Sequence, residues 1–388
     1  MSSPVPPRWM GVAAADGSDS AEAARRAVTE ATAGRDATLV MLFVGPDLDV
    51  GAAAGAARAT LPEHTRLVGC TTAGELTHEA AGSLGLVAVA LGGEGLTVTT
   101  SVGMIADGAR AAGQVAASAL DDVDAPHRAL LMLVDGTAGG RSEMVRGAYG
   151  ATGASVPLVG GCAADGFVMR TTYQIIDDKV VTGAVVGIAL GSPAPISVGV
   201  GHGWTRLGEP VVVTESDGQR IHKLNDQPAL DYYLTAVGVP TEGPELFARL
   251  QATGLNHPLG LTRPGGEEIR AVLAIDPEER SLVCGDVPQG TLVSMMAGDV
   301  GTILDGTRSA ARAAVDGLGG ATPIGLLAFD CAARRAVLGE AALADERGAL
   351  ADVAPGVPVG GFYTAGEIAR TKGSRGVHNA TLVLLALA

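Results

Sequence analysis

The sequence predicts an α/β fold: repeated β-α-β-α-β-β units forming mixed, mainly parallel sheets flanked by helices, in two packed domains. Three observations lead there. The stretch Leu67-Val-Gly-Cys-Thr-Thr-Ala-Gly-Glu75 returns as Leu158-Val-Gly-Gly-Cys-Ala-Ala-Asp-Gly166 and again as Val359-Gly-Gly-Phe-Tyr-Thr-Ala-Gly-Glu367, and recurrence of this kind marks a repeated architecture. Each copy follows an apolar run and a helical stretch and precedes another apolar run. With 47% hydrophobic, 18% charged and only 3% aromatic residues, the core must be made of Ala, Val and Leu packed closely, which suits small-residue α/β layers.

In chain order, residues 1–7 read as a disordered tail and Trp9 to Ala15 as a strand, followed by a helix from Ala21 to Ala33 capped from Asp16-Gly-Ser-Asp-Ser20. Thr38 to Val44 is a continuous apolar run, as expected of a strand covered on both faces. A helix from Asp49 to Thr60, the motif strand Thr65 to Gly69 and a closing strand Leu84 to Leu91 complete unit one. Unit two repeats the order with strand Leu96 to Met104, helix Asp107 to Leu120, strand Ala129 to Val134, helix Arg141 to Thr152, motif strand Pro157 to Gly160 and closing strand Ala184 to Leu190. A hairpin from Tyr173 to Val181, turning at Asp177-Asp178, separates its motif from its closing strand. Unit three is expected from Thr291 to Met296 onward, with a helix near Val300 to Leu318, strand Ile324 to Phe329, helix Ala341 to Val353, motif strand Val357 to Gly360 and closing strand Thr381 to Leu387.

About a hundred residues before unit three break the pattern. Ile196 to Gly203 reads as a strand, Val211 to Leu224 as a hairpin around Ser216-Asp217-Gly218, and Pro228 to Val237 as a short helix. Residues 238–268 are rich in Gly and Pro. Ile269 to Ile275 and Ser281 to Gly285 form a further hairpin turning near Asp276-Pro277, expected to pair near Thr291 to Met296. A boundary at 230/231 then divides an N-terminal domain, 8–230, from a C-terminal one, 231–388.

Net charge is −15 with 27 Lys and Arg and no basic run, which argues against a nucleic-acid surface. The four cysteines, Cys70, Cys162, Cys284 and Cys331, lie far apart without a CxxC pair. That favours reduced thiols in a cytoplasmic protein over a zinc or disulfide framework, and no metal or cofactor is expected. The start has no leader pattern and no apolar run approaches about 18 residues, so no membrane span is expected.

Strands linked through helices return parallel, so their carboxyl ends share one edge, where ligands of open α/β sheets bind. The motif loops leave that edge. Aligned on their glycines, Gly69, Gly161 and Gly361 coincide, and Cys70, Cys162 and Phe362 share the next position. Cys70 and Cys162 fit either an acidified nucleophilic thiol, with His202, His257 or His378 as base, or an apolar pocket wall. Glu75 and Glu367 can receive an ammonium group or cap local backbone, with Asp165 standing nearby in the second copy. Arg141, Arg170 and Arg370 follow the same strand ends and can balance that charge.

These motifs resemble the FIST family, paired N- and C-terminal modules of intracellular signal transduction proteins. Gly69-Cys70-Thr71-Thr72-Ala-Gly-Glu75, Leu158-Val-Gly-Gly-Cys-Ala-Ala-Asp165, Gly199-Val-Gly-His-Gly-Trp204 and Gln227-Pro-Ala-Leu-Asp-Tyr-Tyr233 resemble the N-terminal module. His257-Pro-Leu-Gly260, Gly361-Phe362-Tyr363-Thr364-Ala-Gly-Glu-Ile368 and His378-Asn379-Ala-Thr381 resemble the C-terminal one. The resemblance implies a sensory module that binds a small polar ligand, an amino acid or derivative among the candidates, at Gly69, Cys70, Thr71, Thr72, Glu75, Gly161, Cys162, Asp165, His202, Trp204, Phe362, Tyr363, Thr364, Glu367, His378 and Asn379. With no output domain in the sequence, the signal is expected to pass to a separate partner protein. A cysteine-dependent acyl-transfer or hydrolytic enzyme and a protein-binding scaffold are the alternatives.

Overall fold

The computed structural model describes residues 7–240, 256–263, 266–370 and 376–388. Of the tail expected at 1–7 only Pro7 falls among them, and much of the Gly- and Pro-rich stretch 238–268 lies outside the described residues. Unit one illustrates how local sequence builds each layer. After strand Trp9–Ala15, the Asp19 carboxylate accepts from the N–H groups of Ala21 and Glu22 and starts helix Ser20–Thr32. The small residues Ala23, Ala24, Ala27 and Ala31 form the helix's buried stripe, which lets it lie close on the sheet. Strand Leu39–Val44 is buried along its whole length, helix Val50–Thr60 is capped by Asp49, and strand Arg66–Thr71 follows.

Three six-stranded sheets share one order: first strand, closing strand, middle strand, motif strand, then a hairpin. In sheet one these are Trp9–Ala15, Leu86–Gly92, Leu39–Val44 and Arg66–Thr71, followed by the hairpin Gln174–Ile176 and Lys179–Val181. Sheet two has Thr97–Met104, Ala184–Ser192, His127–Val134 and Leu158–Cys162, then Glu367–Arg370 and Val377–His378. Sheet three has Ile196–Gly201, Leu382–Leu387, Gly325–Cys331 and Val359–Thr364, then Glu75–Thr77 and Ala81–Gly82. Every hairpin is therefore lent to another unit's sheet. Unit two completes sheet one, unit three completes sheet two, and unit one completes sheet three, in a closed cycle.

The expectation of mainly parallel sheets is corrected. Helix-linked strands do run in the same direction, but the closing strand enters between the first and middle strands, and the lent hairpin adds further antiparallel pairs. Among the described residues one parallel ladder remains in each of these three sheets: Leu39–Val44 with Arg66–Thr71, His127–Val134 with Leu158–Cys162, and Gly325–Cys331 with Val359–Thr364.

Unit three also begins elsewhere than expected. Its first strand is Ile196–Gly201, and Leu292–Ala297 belongs to a fourth sheet inserted between that strand and helix Val300–Asp316. In this insert, Thr205–Ser216 and Gly218–Leu224 pair as the hairpin foreseen around Asp217, and Ala274–Asp276 pairs with Ser281–Val287. Leu292–Ala297 pairs with Thr205–Ser216 and Leu259–Arg263, so the hairpin foreseen beside it shares its sheet without pairing with it. Helix Ala229–Ala236 covers the insert, and residue 230 falls within that helix.

The inner faces of the three repeated sheets meet in one apolar core. At its centre Phe43 stacks on Phe362 with centroids 4.7 Å apart, and Phe329 meets Phe362 edge-on at 5.9 Å, arrangements that add about 0.5–1.5 kcal/mol per pair beyond burial. Helices cover the outer faces. No helix among the described residues is long and apolar enough to cross a membrane.

Candidate functional site

Backbone geometry brings the three motif loops together. Ala73 N–H donates to the Tyr363 carbonyl at 2.9 Å, Ala164 N–H to Thr71 at 2.9 Å and Ala365 N–H to Cys162 at 3.1 Å, so each unit holds the next around a ring. These bonds also correct the alignment of the second copy by one residue. A Cβ on Gly69 would lie 2.0 Å from the Leu42 carbonyl oxygen, on Gly160 2.1 Å from that of Met132, and on Gly361 1.8 Å from that of Ala328. Gly160, not Gly161, is thus the counterpart of Gly69 and Gly361, while Gly161 shares the inward position of Cys70 and Phe362. Cys162 then matches Thr71 and Tyr363, on the helix-covered side. The Gly160-Gly161 doublet permits either alignment in sequence.

The motif carboxylates hold backbone. Glu75 accepts from the Thr72 hydroxyl and, at 2.9 Å, from Leu84 N–H; Glu367 accepts from the Thr364 hydroxyl at 2.5 Å and from Thr381 N–H at 3.2 Å. Both are fully buried and both tether the chain as it enters the closing strand. Unit two has no glutamate there, and Asp135, at the end of its middle strand, takes the corresponding Gly183 N–H at 2.7 Å. Asp165 is a local cap, accepting from the N–H groups of Met169, Arg170 and Thr171.

Burial pushes Glu367 up to about 8, against the pull of its bonds to Thr364, Cys331 and Thr381. The unfolded chain releases this proton near 4.5, so from about pH 4.5 to about pH 8 the folded protein holds a proton that the unfolded one has lost, and this group's contribution to stability falls as pH rises. Below that window both states are protonated and the dependence vanishes. Urea unfolding of Glu367→Gln beside the native protein should therefore give a stability difference, native minus variant, that declines across the window. A flat or rising difference would contradict the assignment.

The remaining residues of the expected site divide by environment. Phe362 belongs to the central core, and Tyr363 donates to Glu346 at 2.8 Å. Thr71 accepts from Tyr173 N–H. His202 accepts from Trp204 N–H at 3.0 Å, and burial with the nearby Arg334 lowers its pKa to about 4. Trp204 donates to the Ala380 carbonyl at 2.7 Å, and buried His378, also lowered by desolvation, bonds the Ala369 carbonyl. All four cysteines are buried and free, and desolvation raises the Cys70 and Cys162 thiols. Of the expected site residues, Asn379 lines a cavity.

That cavity, about 270 Å³, opens between unit two and the inserted sheet. Unit two supplies the glycine-rich loop 136–140, Arg141 and Met169; the insert supplies Gln219, Arg270, Leu273, Cys284, Gly285 and Asp286; Val377 and Asn379 come from unit three. Arg141 bonds the Gly136 and Ala365 carbonyls, fixing the loop against the unit-three motif. Arg270 is 1% exposed, donates to Ile269, Val377 and Glu268, and its enclosed Nε–H has no hydrogen-bond partner among the described residues. Sequence reasoning missed Arg270, Gln219 and Asp286. The signal for Arg270 was there: one arginine inside Ile269-Arg-Ala-Val-Leu273.

Fold and site together define a three-unit α/β protein of exchanged hairpins, with an inserted sheet closing a cavity beside the motif ring. The chain belongs to the FIST family: residues 38–227 match the FIST N domain and residues 229–370 the FIST C domain. Among curated relatives, an uncharacterized protein of Mycobacterium tuberculosis (strain ATCC 25618 / H37Rv) is 31% identical over 229 residues, 58% of this chain and 59% of that protein. An uncharacterized protein of Mycobacterium bovis is 29% identical over 231 residues, 58% of each chain. One from Methanocaldococcus jannaschii is 25% identical over 154 residues, 38% of this chain and 30% of that protein. The match spans less than two thirds of each relative's length.

Proposed function

We propose that this chain is a sensory, ligand-binding protein of the FIST type that takes a small polar metabolite, an amino acid or a derivative of one among the candidates, and signals through a separate protein partner in the cytoplasm. The observation that carries this reading is the cavity beside the motif ring: cationic, amide and apolar groups from unit two, unit three and the insert converge on one space. A ligand there would touch all three and so bias how the insert sits on unit two, which is the differential contact that a sensor requires. Binding is favoured over cysteine chemistry because Cys70 and Cys162 are buried and held toward the thiol form, whereas a nucleophile must reach the thiolate.

A thermal-shift screen of the whole chain against amino acids, organic acids, amines and nucleosides tests it. A ligand at about 100 times its dissociation constant adds about 2.7 kcal/mol of stability. One compound class should raise the melting temperature in a saturable way; no stabilisation by any class would sink the binding reading.

A further inference from the structure

We infer that the open edge of sheet two is a self-association face, apart from the cavity, on which a second copy of this chain pairs through strand Thr97–Met104 about a two-fold axis. Thr97–Met104 is bonded on one side only, to Ala184–Ser192, over 8 residues without a register shift. Ile105 N–H donates to the Gly183 carbonyl, and the alternation along the register from that bond turns the amides and carbonyls of Val98, Thr100 and Val102 outward. Among the described residues no hydrogen bond takes them up. A proline, a charged side chain or a bulge ordinarily blocks such an edge, and this strand has none of them.

The strand is self-complementary. In a two-fold contact, residue i meeting residue j is matched by j meeting i, and Val98-Thr-Thr-Ser-Val102 reads nearly alike in both directions. With two copies antiparallel about Thr100, Val98 of one faces Val102 of the other and Thr99 faces Ser101, while the outward groups of Val98, Thr100 and Val102 all find partners together. Both valines are partly buried at the margin of the central core, so pairing also removes apolar surface from water.

The helix above this edge distinguishes it from the other two. Helices Ser20–Thr32, Ala109–Ala117 and Val300–Asp316 bury matching pairs against their sheets: Ala27-Val28, Ala116-Ala117 and Ala310-Ala311. In unit two Gly113 faces helix Arg141–Thr152, where a Cβ would stand 1.9 Å from the Met144 carbonyl oxygen. The helical period then places Ala111, Val115 and Ser118 on the opposite side, above the free edge, and the Val115 carbonyl accepts from the Ser101 hydroxyl. None of the three is charged, and Val115 is 46% exposed. Matched on the buried pairs, unit one has Glu22, Arg26 and Thr29 at these positions and unit three has Asp305, Ser309 and Arg312. Copies with a net charge of −15 repel one another. A contact between them is least opposed where it brings no further charge together, and of the three edges this one meets that condition.

Sedimentation equilibrium of the full chain tests this. One strand and one helix side per copy make a small contact, so a dimer with a dissociation constant on the order of 10 µM is expected, within a titration from about 1 to about 100 µM. Three variants accompany it. Thr100→Pro removes an outward donor at the axis without costing a bond to Ala184–Ser192. Val115→Lys sets two ammonium groups close to the axis from an exposed position, and Ser309→Lys makes the same change on unit three as a control. Thr100→Pro and Val115→Lys should each weaken the dimer at least about tenfold, and Ser309→Lys should leave it unchanged. Added salt should strengthen association by screening the repulsion between acidic copies. A native chain that stays monomeric throughout, undiminished dimerisation of either folded edge variant, equal weakening by Ser309→Lys, or a dimer that salt dissociates would overturn the inference. Should Thr100→Pro fail to fold, Val115→Lys decides alone.

Discussion

Replacing Arg334 with methionine is expected to cost about 3–5 kcal/mol of unfolding free energy, the range for leaving buried charges without their partner. Arg334 has no exposed surface, and neither do the two carboxylates that it meets: Asp330 at 2.6 Å and Glu346 at 3.1 Å. Its remaining donors reach the Thr307 hydroxyl at 2.6 Å and the His202 carbonyl at 2.8 Å, so one side chain joins a helix, a strand end and the point where the inserted sheet departs. Burial raises the Asp330 pKa despite Arg334, whereas the two carboxylates keep Arg334 charged against the same desolvation. Without the guanidinium, both buried carboxyl groups lose their countercharge. Lysine would not substitute, because a point ammonium cannot reach acceptors spread over all three guanidinium nitrogens. Urea unfolding measures the loss. The triple variant Arg334→Met, Asp330→Asn, Glu346→Gln should recover part of it, since the penalty lies in uncompensated charge. A loss below about 1 kcal/mol, or no recovery in the triple variant, would show that the network carries little.

Local structure was largely legible in the sequence, and partner choice was not. Helix Arg141–Thr152 and the turn at Asp177 follow from apolar spacing and turn residues within a few positions of themselves. Nothing in Gln174–Val181 says that it will pair with Arg66–Thr71 of another unit, because strand partners are chosen by tertiary packing. Ile196–Gly201 and Leu292–Ala297 are similar apolar runs, and nearness to helix Val300–Asp316 favoured the second. The fold takes the first, since Gly199 and Gly201 let that helix approach until a Cβ would stand 1.9 Å from the Ala310 carbonyl oxygen and 2.3 Å from that of Gly306. Gly11 in unit one has the same relation to Ala31, at 2.0 Å, so glycines facing a helix were a readable signal. At the site, Glu75 and Glu367 were legible as important but open as to role, and their tethers to Leu84 and Thr381 correspond to the capping alternative. The cavity was hidden because its walls lie far apart in sequence, from Gly136 to Asn379.

Gly361→Ala should destabilise by about 3 kcal/mol or more, the upper end of what overpacking costs, because nothing nearby can yield. Its added Cβ would stand 1.8 Å from the oxygen, 2.6 Å from the carbonyl carbon and 2.9 Å from the Cα of Ala328, all backbone of the strand with which it forms the parallel ladder. Relief requires parting Gly325–Cys331 from Val359–Thr364, and those strands carry Phe329 and Phe362 into the central core. The strain would reach further than one ladder. Gly361 also pairs with Leu76 of the hairpin lent by unit one, and two residues on Tyr363 accepts the Ala73 amide of the motif ring. Gly69→Ala and Gly160→Ala, whose methyl groups would stand 2.0 and 2.1 Å from carbonyl oxygens, should be harmful in the same way, Gly160 the more so for its φ of 148°. Gly55→Ala and Gly348→Ala are the controls: both lie in helices with nothing within 4 Å of the new methyl, and each should be neutral or stabilising by up to about 1 kcal/mol. Soluble yield and urea midpoints of the five variants, measured side by side, decide the matter. A Gly361→Ala protein that unfolds at the native midpoint would mean that the recurring glycine answers to something other than the close approach of two strands.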